Sequence, residues 1–155
     1  MKNLISRILV AVDGSVESMA AATHAITIAR IYDAELFTLT IINTQPWFHS
    51  SKLYGWADDQ TMEKVYAKDR NESQRWADQI INNAKVNGIK VSSKILMVTT
   101  TSSSTPAAIV NYAEQNNIDI IVMGTRGRSG FKKMLLGSTA LGVLTYVHCP
   151  VMIVK

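Results

Sequence analysis

Short apolar segments alternate with longer amphipathic ones along this chain. The apolar segments lie at residues 5–12, 35–42, 90–98, 118–123 and 151–154. The first of them is rich in β-branched residues with little alternation, which is typical of a strand buried on both faces. The segments between them place apolar residues at helical spacing, over 15–32, 58–87, 105 onward and 138–147. The pattern therefore predicts the element order β-α-β-α-β-α-β-α-β.

Capping residues mark the ends of the predicted helices. Ser15 is the expected N-cap of the first helix, and Gly88 ends the second. Thr105 and Pro106 open the third helix as its cap and first-turn residue, and Ser138 caps the last. Alternating strands and helices predict an α/β fold. We expect a single doubly wound five-stranded parallel sheet with strand order 3-2-1-4-5 and helices on both faces.

Composition fits one compact domain over residues 1–155. The chain is 47% apolar and 18% charged, which suffices for a single core. No apolar run approaches the roughly 20 residues that span a bilayer, and the first residues do not form a signal-peptide core, so we expect a cytoplasmic protein. The lone cysteine, Cys149, cannot form an internal disulfide and is expected to be a buried structural thiol.

The net charge of +4 is concentrated near the C-terminus. Residues 1–119 hold 11 Lys or Arg and 12 Asp or Glu, whereas residues 120–155 hold five Lys or Arg and no acidic residue. Four of these cations interrupt a glycine-rich segment, where they would attract an anion: Arg126, Arg128, Lys132 and Lys133. We expect Arg126, Lys132 and Lys133 to be solvated rather than bound to phosphate. Nucleic acid is the less favoured anion, because its binding usually needs a broader basic footprint with stacking aromatics.

Two predicted loops are candidates for the ligand site. Asp13 and Gly14 follow the first strand, and a glycine-rich loop begins at Gly124 after the fourth. Ligands of open parallel sheets bind outside the carboxyl ends of the strands, so neighbouring strands one and four would bring both loops to one crevice. The P-loop pattern and a G-x-G-x-x-G after the first strand do not occur in the sequence. Glycines that admit a close backbone and a helix start that attracts anions nevertheless favour a phosphate-bearing ligand.

The glycine-rich loop has a specific spacing. It reads G-x-x-G-x9-G-[ST], from Gly124 through Gly127 to Gly137 and Ser138. Together with Asp13 at the end of strand one, this arrangement resembles the universal stress protein family in its ATP-binding subgroup. The resemblance covers nearly the whole chain, from the first strand to the last.

The resemblance implies where the parts of a bound ATP would lie. Adenosine would contact the ends of strands one, two and four, at Ala11, Val12, Asp13, Ile41, Met123 and Gly124. The triphosphate would be lined by Gly127, Arg128, Gly130, Gly137, Ser138 and Thr139. The Asp13 carboxylate would accept hydrogen bonds from the nucleotide, although it could equally cap the first helix or brace Gly14. Mg²⁺ would arrive with ATP, since no His, Cys, Asp or Glu cluster in the sequence has metal-ligand spacing.

The implied function is that of an ATP-binding stress-response protein whose bound nucleotide alters its conformation or its choice of partner. Hydrolysis would also need a group that positions water. The motif offers Arg128 for charge stabilisation but no carboxylate or His for that task. A slow ATPase and a nucleotide-free interaction module are the alternatives.

The family often carries Gly-x-Pro before the third helix, where this chain has Ser104-Thr105-Pro106, so the geometry of that turn is left open.

The final strand predicts a homodimer. Residues 151–154 are apolar and lie at the sheet edge in the predicted strand order, and an uncovered edge can pair with a second copy of the same strand.

Two polar or aromatic segments have no assigned role. The aromatic loop 43–56 either packs against the second helix or contacts a partner, and the Ser/Thr run 99–105 is expected to be a polar connection.

Overall fold

The computed structural model describes residues 4–44, 55, 59–98, 103–127 and 136–155. Several predictions fall outside these ranges: those on Arg128, Gly130, Lys132 and Lys133, on most of the aromatic loop and on most of the Ser/Thr run. The described elements are β1 (Arg7–Ala11), α1 (Val16–Tyr32), β2 (Glu35–Asn43), α2 (Asp59–Val86), β3 (Val91–Val98), α3 (Thr105–Gln115), β4 (Ile120–Gly124), α4 (Ser138–Tyr146) and β5 (Val151–Val154). Their types and order are those that the hydrophobic pattern predicts.

The strands form one parallel sheet of order β3-β2-β1-β4-β5, which confirms the predicted fold class. Val10 in the central strand pairs with Thr38 on one side and Val122 on the other. Pairing continues past the end of β1, where the Val12 N–H donates to the Leu39 carbonyl at 2.9 Å. The carboxyl ends of β1, β2 and β4 therefore lie side by side.

Alternate residues of the central strand enter two separate cores, as expected for a strand covered on both faces. Ile8 and Val10 pack with α1 and α2, whereas Leu9 packs with α3 and α4. The first core includes Ala25 of α1 and Ile80 of α2, and both are buried. The two cores confirm the prediction of helices on both faces of the sheet.

Strand boundaries are tied together at the amino edge of the sheet. The Asp119 carboxylate accepts the backbone N–H groups of Ser6, at 2.7 Å, and Arg7, at 2.8 Å. The Asp119 N–H in turn donates to the Arg7 carbonyl at 2.9 Å. These bonds join the start of β1 to the start of β4, so β1 begins at Arg7 and β4 at Ile120, two residues later than predicted in each case.

The helix ends confirm two predicted caps and correct two others. Ser15 is the N-cap of α1, and Gly88 follows α2 with a φ of +72°, which suits glycine. The N-cap of α3 is Ser104 rather than Thr105, because the Ser104 hydroxyl accepts the Ala107 N–H at 3.3 Å. The N-cap of α4 is Gly137 rather than Ser138, and no side chain caps it. The first N–H groups of α4 therefore lack an internal partner.

Two further expectations from the sequence concern membrane crossing and Cys149. In the described ranges, no helix combines the length and the apolar character that crossing a membrane requires. Cys149 is half-buried, and this burial, aided by the charge of Asp119, raises the pKa of its thiol above the ordinary value. The protonated, weakly nucleophilic form is therefore favoured, as expected of a structural thiol.

Candidate functional site

A cleft opens at the carboxyl ends of β1, β2 and β4 and is bounded by the first turns of α3 and α4. It has a cavity volume of about 120 Å³. Ten of the twelve residues predicted from the sequence line it: Ala11, Val12, Asp13, Ile41, Met123, Gly124, Gly127, Gly137, Ser138 and Thr139. The other two, Arg128 and Gly130, lie outside the described residues. The loops after β1 and β4 thus meet in one crevice, as the strand order predicts.

One wall of the cleft is apolar. It is built by Leu39 and Ile41 of β2, Met123 of β4 and Ile109 of α3. Leu39, Met123 and Ile109 are buried in the core on the α3 and α4 face, and Ile41 packs against that core. Side chains held in the core in this way form a fixed apolar surface that can contact a flat, apolar part of a ligand.

Asp13 also lines the cleft, on a turn held by hydrogen bonds. Oδ1 of Asp13 accepts the Ser15 N–H at 3.0 Å and the Ser15 hydroxyl at 2.6 Å. The Ser15 hydroxyl also accepts the Ser18 N–H at 3.2 Å, and the Ser18 hydroxyl donates to the Ser15 carbonyl at 3.0 Å. Asp13 therefore braces the start of α1, which is one of the two roles considered from the sequence, and this brace fixes where its carboxylate stands.

Glycines of the motif lie where a side chain would make close contacts within the protein. A Cβ on Gly124 would lie 2.9 Å from the backbone of Glu17, because α1 packs directly on the end of β4. A Cβ on Gly127 would lie 2.8 Å from Oδ2 of Asp13. A Cβ on Gly137 would lie 3.2 Å from the Thr125 carbonyl. Side chains at Gly127 or Gly137 would therefore disturb the cleft through these contacts, as well as by occupying ligand space.

The start of α4 supplies the polar end of the cleft. The Gly137 N–H donates to the Thr125 carbonyl at 2.7 Å, which holds the helix start against the loop after β4. Ser138, Thr139 and Ala140 form the first helical turn, and all three line the cleft. Because the N-cap residue, Gly137, has no side chain, the N–H groups of the first turn and the positive end of the helix dipole can receive an anion.

Sequence reasoning missed seven lining residues: Ser18, Leu39, Thr105, Ile109, Thr125, Arg126 and Ala140. Thr105 and Ile109 are four residues apart on α3 and so share one face, a signal that the sequence contains. The cleft receives this face because α3 and α4 pack closely, and a Cβ on Gly142 would lie only 2.7 Å from Pro106. That contact depends on tertiary packing.

Arg126 departs from the expectation of a solvated side chain. It lines the cleft and is only partly exposed, and its Nε atom is buried with no hydrogen-bond partner in the described structure. The cause is the return of the chain at Gly137, where a Cβ would lie 3.5 Å from the Arg126 Cα. Arg126 therefore lies at the cleft with its Nε shielded from solvent.

Comparison with known proteins gives the family. The universal stress protein family model matches residues 5–155. The chain belongs to the universal stress protein family. It is 34% identical to the universal stress protein MJ0531 of Methanocaldococcus jannaschii, over 99% of this chain and 84% of that protein. It is also 31% identical to the universal stress protein YxiE of Bacillus subtilis, over 98% of this chain and all of that protein.

Solved universal stress proteins share its fold. The UspA structure from Lactobacillus plantarum matches with a TM-score of 0.80 and 22% identity, over 97% of this chain and 98% of that one. An Archaeoglobus fulgidus universal stress protein in complex with dAMP matches with a TM-score of 0.64 and 21% identity, over 98% and 99% of the two chains. A universal stress protein in complex with cAMP matches with a TM-score of 0.64 and 22% identity, over 97% of both.

Proposed function

We propose that this universal stress protein binds an adenine nucleotide, ATP with Mg²⁺, in the cleft, and that the bound nucleotide alters its conformation or its choice of partner. One observation carries the proposal: the cleft joins an apolar wall, a fixed carboxylate and an uncapped helix start within one crevice. These three features match the base, the ribose and the phosphates of a nucleotide. We place this function in the cytoplasm.

Each part of the nucleotide has a matching surface. Ile41 and Met123 would cover the base, and Asp13 would accept hydrogen bonds from the ribose hydroxyls. The first turn of α4, with the hydroxyls of Ser138 and Thr139, would receive phosphate oxygens. The dAMP and cAMP held by the two solved relatives support an adenine nucleotide as the ligand class.

Binding rather than hydrolysis is the proposed activity. Among the described lining residues, Asp13 is the one carboxylate, and its Oδ1 is already engaged by Ser15. Positioning a water molecule for attack would need a further carboxylate or a His. The described residues contain no cluster of three His, Cys, Asp or Glu side chains that could hold a metal, so Mg²⁺ would be held through the phosphates.

The test begins with the ligand that accompanies the purified protein. Freshly purified protein is denatured, and the released small molecules are identified by mass spectrometry. We expect ATP, and we expect calorimetry on the emptied protein to show ATP binding that Gly137→Val abolishes in a folded chain. Gly88→Asn, at the opposite edge of the sheet, is the control and should bind normally. Absence of any nucleotide or binding would leave an interaction module, and timed ADP release would reveal a slow ATPase.

We also propose that two copies pair through β5. In the described chain, the outer edge of this strand is not paired with another strand. The N–H of Ile121 in β4 donates to the Pro150 carbonyl at 3.0 Å, and the N–H of Thr125, just after β4, donates to the Val154 carbonyl at 2.9 Å. Backbone groups alternate sides along a strand, so Met152, midway between Pro150 and Val154, also faces β4. Val151 and Ile153 therefore present their backbone groups to the outer edge, where a second copy could pair.

A further inference from the structure

Trp76 of α2 lies directly against the turn that carries Asp13. Gly14 in this turn has a φ of +78°. A Cβ on Gly14 would lie 2.7 Å from Cη2 of Trp76 and closer still to its Cε2 and Cζ2 atoms. The six-membered ring of the indole thus occupies the space where a side chain of residue 14 would stand. The Gly14 turn and the indole of Trp76 are therefore in direct contact.

The other side of Trp76 is anchored in the core. The indole packs against the buried cluster on the α1 and α2 face, to which Ile80 and Ala84 of the same helix belong. Ile80 is one turn further along α2 and is 2% exposed. Trp76 therefore joins a rigid part of the core to the Asp13 turn, and a shift of either would be felt by the other.

Helix α2 is long, and Trp76 lies in its second half. The helix has 28 residues and leads to the start of β3, so it runs from the carboxyl edge of the sheet to the amino edge. Trp76 already contacts Gly14, which lies at the carboxyl edge. Residues 59–75 precede Trp76 on the same helix, over about 25 Å at 1.5 Å per residue.

We propose that Trp76 is a positioning residue for the Asp13 carboxylate, and that it couples the occupancy of the cleft to the packing of α2. The first half of this proposal concerns the turn itself, and the second rests on the proposed nucleotide binding. Coupling between sites is reciprocal. If Trp76 holds Asp13 in the binding position, a nucleotide held by Asp13 stabilises the packing of Trp76 and hence the position of the helix that carries it.

A measurement without ligand tests the positioning role. The Ser15 N–H donates to Oδ1 of Asp13 at 3.0 Å, so its hydrogen exchange reports whether the turn is intact. Trp76→Ala should speed exchange at Ser15 at least about fivefold relative to Ile80→Ala, a core truncation on the same helix that does not contact the turn. Trp76→Phe, which keeps a six-membered ring, should restore most of the protection. Equal exchange at Ser15 in the two alanine variants would overturn the positioning role.

A thermodynamic cycle on AMP affinity tests whether Trp76 acts through Asp13. Trp76→Ala should weaken AMP at least about fivefold in the wild-type background but less than about twofold in an Asp13→Asn background. Ile80→Ala should bind AMP within about twofold of wild type. Full additivity of the two substitutions, or equal losses in Trp76→Ala and Ile80→Ala, would refute the coupling. If the wild-type protein binds no nucleotide, the proposed function fails, and exchange at Ser15 still decides the positioning role.

Discussion

Asp13→Ala should lower both the stability of the fold and the affinity for nucleotide. The carboxylate has two tasks, since Oδ1 accepts two hydrogen bonds from Ser15, at 3.0 and 2.6 Å, and the same side chain lines the cleft. Alanine removes both tasks at once. The two effects are measured separately, by urea denaturation without ligand and by calorimetry with AMP, ADP and ATP.

The magnitudes follow from the number of hydrogen bonds involved. A typical hydrogen bond contributes about 0.5–1.5 kcal/mol net, so losing the two bonds to Ser15 should lower the free energy of unfolding by about 1–3 kcal/mol. One hydrogen bond from a ribose hydroxyl to a carboxylate contributes about 1.5–3 kcal/mol. This loss corresponds to an affinity about 10- to 150-fold weaker. Because the ribose is common to AMP, ADP and ATP, the factor should be similar for all three.

Asp13→Asn separates the two tasks. The amide oxygen can still accept from Ser15, so the free energy of unfolding should stay within about 0.5 kcal/mol of wild type. The negative charge is lost, and an amide nitrogen replaces Oδ2, the atom that lies 2.8 Å from where a Cβ on Gly127 would be. Nucleotide affinity should therefore fall nearly as far as in Asp13→Ala.

Two results would refute this reasoning. A loss confined to ATP would place the carboxylate near the γ-phosphate or its metal ion rather than the ribose. Wild-type affinity in a folded Asp13→Asn protein would show that the charge of Asp13 is not used, and its role would then be limited to bracing the turn.

Three further predictions concern the rest of the fold. Gly142→Ala should lower the free energy of unfolding by about 1–3 kcal/mol in urea, because its Cβ would lie 2.7 Å from Pro106, and an unchanged midpoint would show that the α3–α4 contact can relax. Ile153→Pro should convert a dimer to a folded monomer in light scattering, since it removes an outward N–H, whereas Met152→Pro removes a bond to β4 and should destabilise the monomer itself. A wild-type monomer or an unchanged Ile153→Pro dimer would exclude pairing through β5. Cys149 should react with iodoacetamide near pH 8.5 more slowly in the folded than in the unfolded protein, because burial raises the pKa of its thiol, and equal rates would contradict this.

The hydrophobic pattern predicted the order of the elements, and the strand order was expected from the doubly wound fold that this element order is typical of. Strands such as β1 are apolar on both faces because helices cover both sides of the sheet, and this composition is visible in a local stretch of sequence. The spacing of Gly124, Gly127 and Gly137 likewise identified the loop that meets Asp13. Side chains at these positions would crowd Glu17, Asp13 and Thr125, so contacts with distant segments restrict which residues the sequence can carry there.

Caps were less predictable because adjacent residues compete for the same role. Ser104 and Thr105 both carry a hydroxyl that can cap α3, and the cap is the residue whose backbone is extended, here Ser104 with a ψ of 161°. Gly137 takes the same position before α4, with a ψ of 157°. Local sequence does not distinguish these neighbours, since the backbone angle at each is set by how the preceding loop arrives.

The sequence by itself determined which residues are apolar and where the chain turns. Those properties act over a few residues, so they can be recognised in the sequence alone. Only the tertiary structure decided that Trp76 contacts the Gly14 turn, that Arg126 lines the cleft with its Nε buried, and that Met152 rather than Ile153 presents its backbone to β4. Each depends on the mutual position of distant segments. That position is set by how the cores on both faces pack, and local periodicity does not specify it.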